Sequence, residues 1–146
     1  AVAELDSMGI SSEVRIMSAH RTPQAAAAFS AAARANGFGV IIAAAGMAAH
    51  LAGAIAANTT LPVIGIPIKG GALDGLDALL ATVMMPSGIP VATVALNGAK
   101  NAAVLAAEIL AVTDERIAAV LHEKREAMAT EIETKNAKLQ AELSGH

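Results

Sequence analysis

Ser18, His20 and Arg21 fall within four consecutive positions of the stretch IMSAHRTPQ, Ile16 to Gln24. Each side chain suits a different task. Histidine titrates near neutrality, so one ring is able to give and take a proton within a single cycle. Arginine is always charged and forks onto a phosphate or a carboxylate. A serine hydroxyl donates to the same anion. Each also has a plain structural use: a histidine bonded to a backbone carbonyl, an arginine paired with Glu13 or Asp74, a serine that shapes a turn. The setting favours chemistry. Charged residues make up only 16% of the chain, yet these three close an apolar run and precede Pro23.

A second stretch, AAAGMAAHL from Ala43 to Leu51, reads as a strand end, a glycine turn and a helix start. Backbone N–H groups at a helix start attract anions. The loop is small and apolar, which suits a dry pocket for a carboxylate or carbon dioxide. His50 is placed about one turn into that helix, either as a hydrogen-bonded or subunit-contact histidine or as a ligand group. Lys69, Asp74 and Asp77 flank glycines at another strand end, and Lys100 and Asn101 stand at the last one, with Asn97 or Gly98 starting a helix. Met84 and Met85 read as packing, and His122 as a solvated residue of a long helix. With no paired carboxylates, no H-x-x-x-H and no Walker loop, metal and nucleoside triphosphate readings fall away.

The elements that position these residues alternate. Ala1–Met8 reads as the end of a helix stopped at Gly9, and Ser12–Ser18 as a strand. Pro23 opens a helix running to Gly37, a C′ glycine. Strands follow at Phe38–Ala45, Leu61–Ile68 and Ile89–Leu96, and helices at Met47–Asn58, Leu73–Met85 and Ala99–Ala111. Near-continuous apolar strands between helices imply a parallel sheet covered on both faces. Such sheets bind ligands at the carboxyl ends of their strands, where SAHRT, AAGM, KGGALDG and NGAKN all fall. From Thr113 or Asp114 a helix runs to about Leu143, with apolar positions at Ile117, Leu121, Met128, Ile132, Leu139 and Leu143. Thirty residues span about 45 Å, so this helix projects and is expected to pack on another subunit. The expected division is an α/β domain over residues 1–112 and this helix over 113–146, with His146 read as an appended residue.

Composition narrows the rest. The 146 residues suffice for one domain with a core; 55% are apolar, much of that alanine, and Phe29 and Phe38 are the only aromatics. So much small apolar surface points to burial between sister subunits. A net charge of −3 and the lack of stacking aromatics argue against nucleic acid. The absence of cysteine removes disulfides, thiolate metal sites and a cysteine nucleophile. No apolar run approaches the roughly 20 residues of a membrane span, and no signal peptide is visible. The expectation is a soluble cytoplasmic homo-oligomer.

Together SAHRTP, AAAGMAAHL, LPVIGIPI, LDGLDALLATVMMPSGIPVATVAL and KNAAVLAAEIL resemble the class I N5-carboxyaminoimidazole ribonucleotide mutases of purine biosynthesis, the PurE family, from about Ile10 to Ala111. The resemblance implies a flavodoxin-like three-layer αβα sandwich with a parallel sheet and a long C-terminal helix, assembled as an octamer. It implies transfer of a carboxylate from an exocyclic nitrogen to a ring carbon of an aminoimidazole ribonucleotide, with no metal and no organic cofactor. It makes His20 the general acid/base and Arg21 the phosphate ligand, and has the loop Ala43–His50 hold carboxylate and carbon dioxide. The implied substrate-binding set is Ser18, Ala19, Arg21, Ala45, Gly46, Met47, His50 and Leu51. The Arg-Thr-Pro of SAHRTP favours the mutase over a direct carboxylase, which typically carries a lysine there.

Two departures stand out. The family opens with a strand and a G-S-x-S-D phosphate loop, neither of which is in this sequence. The expectation is that about 20–30 further residues precede Ala1 in the natural chain; a non-catalytic oligomeric relative is the reading that their true loss would favour. The family loop G-G-A-A-H-L-P-G also reads GMAAHLAG here, with Met47 for a glycine and Ala52 for a proline. A side chain at Met47 either narrows the pocket or points away.

Overall fold

The computed structural model describes residues 1–145; His146 and its reading as an appended residue lie outside them. In chain order the elements are α1 (Val2–Ser7), α2 (Pro23–Ala33), β1 (Ile41–Gly46), α3 (Leu51–Ala56), β2 (Val63–Ile68), α4 (Leu76–Val83), β3 (Ala92–Thr93), α5 (Ala99–Ala111) and α6 (Glu115–Ser144). Among the described residues the sheet has three parallel strands in the order β1-β2-β3. β2 is central and buried along five of its six residues, which is why its sequence does not alternate. Ile64 and Ile66 face α1, α5 and α6, whereas Val63 belongs to the core beneath α2 and α3. Helices thus cover both faces, and the architecture is the expected three-layer αβα sandwich.

Alanine sets the spacing of the layers. Ala102, Ala103, Ala106 and Ala107 form the buried stripe of α5 and pack on Ile64 and Ile66; burial of each isoleucine contributes about 2 kcal/mol. On the other face, a Cβ added at Gly65 would stand 2.3 Å from Thr82 Cγ2 and 3.0 Å from Val91 Cγ1. Only glycine permits α4 to approach β2 so closely.

The local signals explain the helix ends. Pro23 is the first residue of α2. Gly37 has φ 86°, and Phe38 N–H donates to Ala33 O while Gly37 N–H donates to Arg34 O, the Schellman pattern. Asp114 caps α6 by accepting from the N–H groups of Arg116 (3.0 Å) and Ile117 (3.2 Å). α6 is anchored by buried Ile117 on α5 and by Lys124, whose Nζ donates to Glu4 Oε1 at 2.9 Å and Ser7 Oγ at 3.1 Å. Its outer half projects, leaving Met128, Ile132, Leu139 and Leu143 exposed.

Three expectations need correction. Ser12–Ser18 is not a strand: it has no ladder partner among the described residues, and Ile16 is wholly exposed. β1 pairs with β2 on one side only, and a cavity of about 870 Å³ separates its other edge from this segment. Ile41 N–H donates to Pro62 O on the β2 side, so the alternate amides of β1 face that cavity. The last strand is confined to Ala92–Thr93; beyond it Val94 N–H and Asn97 N–H still donate to Gly65 O and Pro67 O of β2, and Pro90, before it, lacks an N–H to give. The helix expected from Met47 begins at Leu51, because Met47 at φ 50° interrupts helical geometry.

Candidate active site

Two loops meet at the carboxyl end of β1. The first is Met17–Arg21, which leads into α2. Its shape comes from reciprocal side-chain bonds. Ser18 Oγ accepts from the N–H groups of His20 (3.3 Å) and Arg21 (3.1 Å). Thr22 Oγ1 accepts from Ser18 N–H at 2.8 Å and donates to Ser18 O at 3.2 Å. Ser18 therefore adopts its structural alternative and holds the turn; its hydroxyl proton is not committed to another described group. Thr22, at the N-cap of α2, makes no side-chain bond to the helix, being engaged with Ser18. Its position before Pro23 was the available sequence signal for a helix boundary, but not for this bond.

The second loop is Gly46–His50. Ala49 N–H donates to Gly46 O at 3.0 Å and closes it. His50 is the N-cap of α3 rather than a residue one turn inside. This places its ring against that of His20: His20 Nε2 and His50 Nδ1 are 2.8 Å apart, with ring centroids at 4.9 Å and planes at 73°. One ring donates and the other accepts, so the pair shares a proton along a hydrogen bond. Both rings are exposed to the loop cleft.

The loops enclose a cavity of about 320 Å³. Ser18, Ala19, His20, Arg21, Ala45, Gly46, Met47, His50 and Leu51, all expected from the sequence, line it, together with Met17, Ala44, Ala48 and Ala49. The additional residues are small or apolar neighbours in the same loops and carry no chemical signal of their own. Arg21 is exposed, and its guanidinium has no partner among the described residues. The two acids expected to compete for it are taken: Glu13 pairs with Arg15, and Asp74 with Lys69 at 3.1 Å. Arg21 is thus an unneutralised cation beside two imidazoles.

The other candidates lie outside this cavity. Lys69 joins the β2 and β3 ends, its N–H donating to Asn97 Oδ1 at 2.9 Å. Gly98 is the N-cap of α5, and Lys100 reaches Glu4 at 3.9 Å. His122 pairs with Glu126 on the exposed face of α6. Among the described residues no three His, Cys, Asp or Glu side chains converge as metal ligands do, and no helix is long and apolar enough to cross a membrane.

The AIR carboxylase family model matches residues 1–131. The chain belongs to the AIR carboxylase family. Curated members are close to it. The N5-carboxyaminoimidazole ribonucleotide mutase of Brucella melitensis is 53% identical over 134 residues, covering 90% of this chain and 83% of that protein. The mutase of Pyrococcus horikoshii is 51% identical over 136 residues, covering 93% and 77%. A chloroplastic phosphoribosylaminoimidazole carboxylase of Vigna aconitifolia is 49% identical over 117 residues, which are 80% of this chain and 21% of that protein. A crystal structure of PurE from Treponema denticola superposes with a TM-score of 0.84 at 30% identity, covering 94% of this chain and 86% of that one. In this chain the AIR carboxylase fold brings the two loops together at the carboxyl end of β1.

Proposed function

We propose that this chain is a mutase of purine biosynthesis that converts N5-carboxyaminoimidazole ribonucleotide to 4-carboxy-5-aminoimidazole ribonucleotide. The observation that carries this reading is the 2.8 Å contact of His20 with His50 in a small cavity beside the unpaired Arg21. The relatives named as mutases supply the substrate class.

The reaction needs one proton given and one taken. His20 donates to the exocyclic nitrogen as its bond to the carboxylate carbon breaks, and carbon dioxide is released with the nitrogen left as an amine. The ring carbon then attacks carbon dioxide, and His20 removes the proton from that carbon, which restores the aromatic ring. The proton count of the enzyme is unchanged over the cycle. His50 holds the His20 ring through their shared hydrogen bond, in which either ring can be the donor. Arg21 binds the ribonucleotide phosphate away from the reacting atoms, so that binding energy aligns them. The apolar Ala44–Ala49 wall keeps water from the carbon dioxide. By the family resemblance the protein works as a homo-octamer without metal or organic cofactor, and its composition points to the cytoplasm. Residues 1–112 form the catalytic domain, and the C-terminal helix α6 packs on a neighbouring subunit.

A turnover assay in labelled bicarbonate tests this reading. Unlabelled carboxylated product from the N5-carboxy substrate, with the rate reduced about 10²–10⁴-fold in His20→Asn, is the expected result. Labelled product from aminoimidazole ribonucleotide and bicarbonate alone would instead favour the direct carboxylase, the activity named for the Vigna relative. No product from either substrate would favour a non-catalytic member.

A further inference from the structure

Met47 combines two features that the proposed reaction does not by itself require. Its backbone is left-handed, at φ 50°, a conformation that a residue with a Cβ holds only when its surroundings impose it. Its side chain also leaves its own loop. A Cβ added at Gly71 would lie 3.2 Å from Met47 Cγ, 3.5 Å from Asp77 Oδ2 and 3.9 Å from Met47 Sδ. The thioether therefore passes directly over Gly71, in the loop between β2 and α4, where the missing side chain leaves it room. Met47 remains 62% exposed, so what it gains is this contact between loops and not burial in the core. At the same time it lines the cavity that holds His20, Arg21 and His50.

We infer that Met47 is a positioning residue whose side chain ties the loop after β1 to the loop after β2 and thereby closes one side of the histidine cavity. Its consequence for catalysis rests on the mutase reading above: carbon dioxide freed from the nitrogen is retained until the ring carbon attacks it. An unbranched thioether suits the task, since it follows the irregular surface over a glycine without a fixed shape. The left-handed backbone at Met47 aims the side chain across the gap.

The test compares the unmutated chain with Met47→Ala, which keeps a Cβ at the strained position but removes the tie, and Met47→Leu, which restores apolar reach. Two readouts are taken. The first is hydrogen exchange of the amides from Gly70 to Gly75. The second is the partition of N5-carboxy substrate between free aminoimidazole ribonucleotide and carboxylated product, in labelled bicarbonate and corrected for an enzyme-free control. In Met47→Ala, exchange in this loop is expected to rise about tenfold, and both the free ribonucleotide and the label in the product are expected to rise at least severalfold. Met47→Leu is expected to return both toward the unmutated values. Unchanged exchange in Met47→Ala overturns the tie. Faster exchange with unchanged partition overturns its role in retaining carbon dioxide. An unmutated chain without turnover overturns the mutase reading instead, and the exchange rates then decide the tie alone.

Discussion

His20 and His50 are thirty positions apart in the chain and 2.8 Å apart in space. Neither ring is special alone; the shared hydrogen bond holds the two rings in a definite mutual orientation. Arg21 is distinguished by what it lacks. Its two potential carboxylate partners are held by Arg15 and Lys69, which leaves the guanidinium for a ligand. On the proposed reading its replacement removes a charge-assisted contact to the phosphate, remote from the reacting atoms. Arg21→Ala is expected to raise KM for the ribonucleotide roughly 10–100-fold with a smaller change in kcat, as steady-state kinetics would show. His20→Asn should act mainly on kcat, so the two variants separate binding from proton transfer.

At the scale of elements, close packing and termini matter most. Gly65 lets α4 settle on β2, and the 2.3 Å separation from Thr82 Cγ2 leaves no room for a methyl group. Gly65→Ala is expected to destabilise the fold by about 1–3 kcal/mol, lowering the melting temperature by several degrees. The junction of α1 with α6 is expected to respond to pH. The hydrogen bond from Lys124 is the main cause that holds the Glu4 carboxyl below its ordinary range, with Coulombic help from Lys124 and Lys100 prevailing over partial desolvation. A carboxyl with a lowered folded-state pKa stabilises the fold above its unfolded pKa, and that contribution is lost as pH falls through the folded value. The melting difference between the unmutated chain and Glu4→Gln should therefore be present at neutral pH and vanish on acidification below the ordinary glutamate range.

For the whole molecule, the distribution of uncovered apolar surface is the main feature. The outer half of α6 exposes Met128, Ile132, Leu139 and Leu143, and α4 with its flanks exposes Leu73, Leu76, Leu80, Val83 and Met84. A helix this long finds nothing within its own domain to cover its far turns. Packing on a sister subunit is the reading proposed above. Ile132→Glu with Leu139→Glu is expected to shift sedimentation toward smaller species while the far-ultraviolet dichroism of the isolated domain is kept. An unchanged sedimentation coefficient would place the subunit contacts elsewhere. Among the described residues the second edge of β1 has no strand partner either, and it faces the 870 Å³ cavity with Ser12–Ser18 across it.

Several elements were legible in the sequence because their causes are local. Pro23 and Gly37 bracket α2, Asp114 caps α6, and the Ala99–Ala111 helix carries its buried alanines on one face. The apolar strands alternating with helices established the layered class, and the residues expected at the site from SAHRTP and AAAGMAAHL all lie along one cavity, beside Met17, Ala44, Ala48 and Ala49. Ser12–Ser18 shows where that reasoning ends: its residues favour a strand, but a strand exists only with a partner, and pairing is not local. The same reason applies to His50, whose neighbour depends on how two loops converge. Local propensity, caps and hydrophobic period determined what each segment tends to be. Only tertiary structure decided which edges pair, that His20 meets His50, that Arg21 has no side-chain partner among the described residues and that Met47 lies over Gly71, because each depends on contacts between residues distant in the chain.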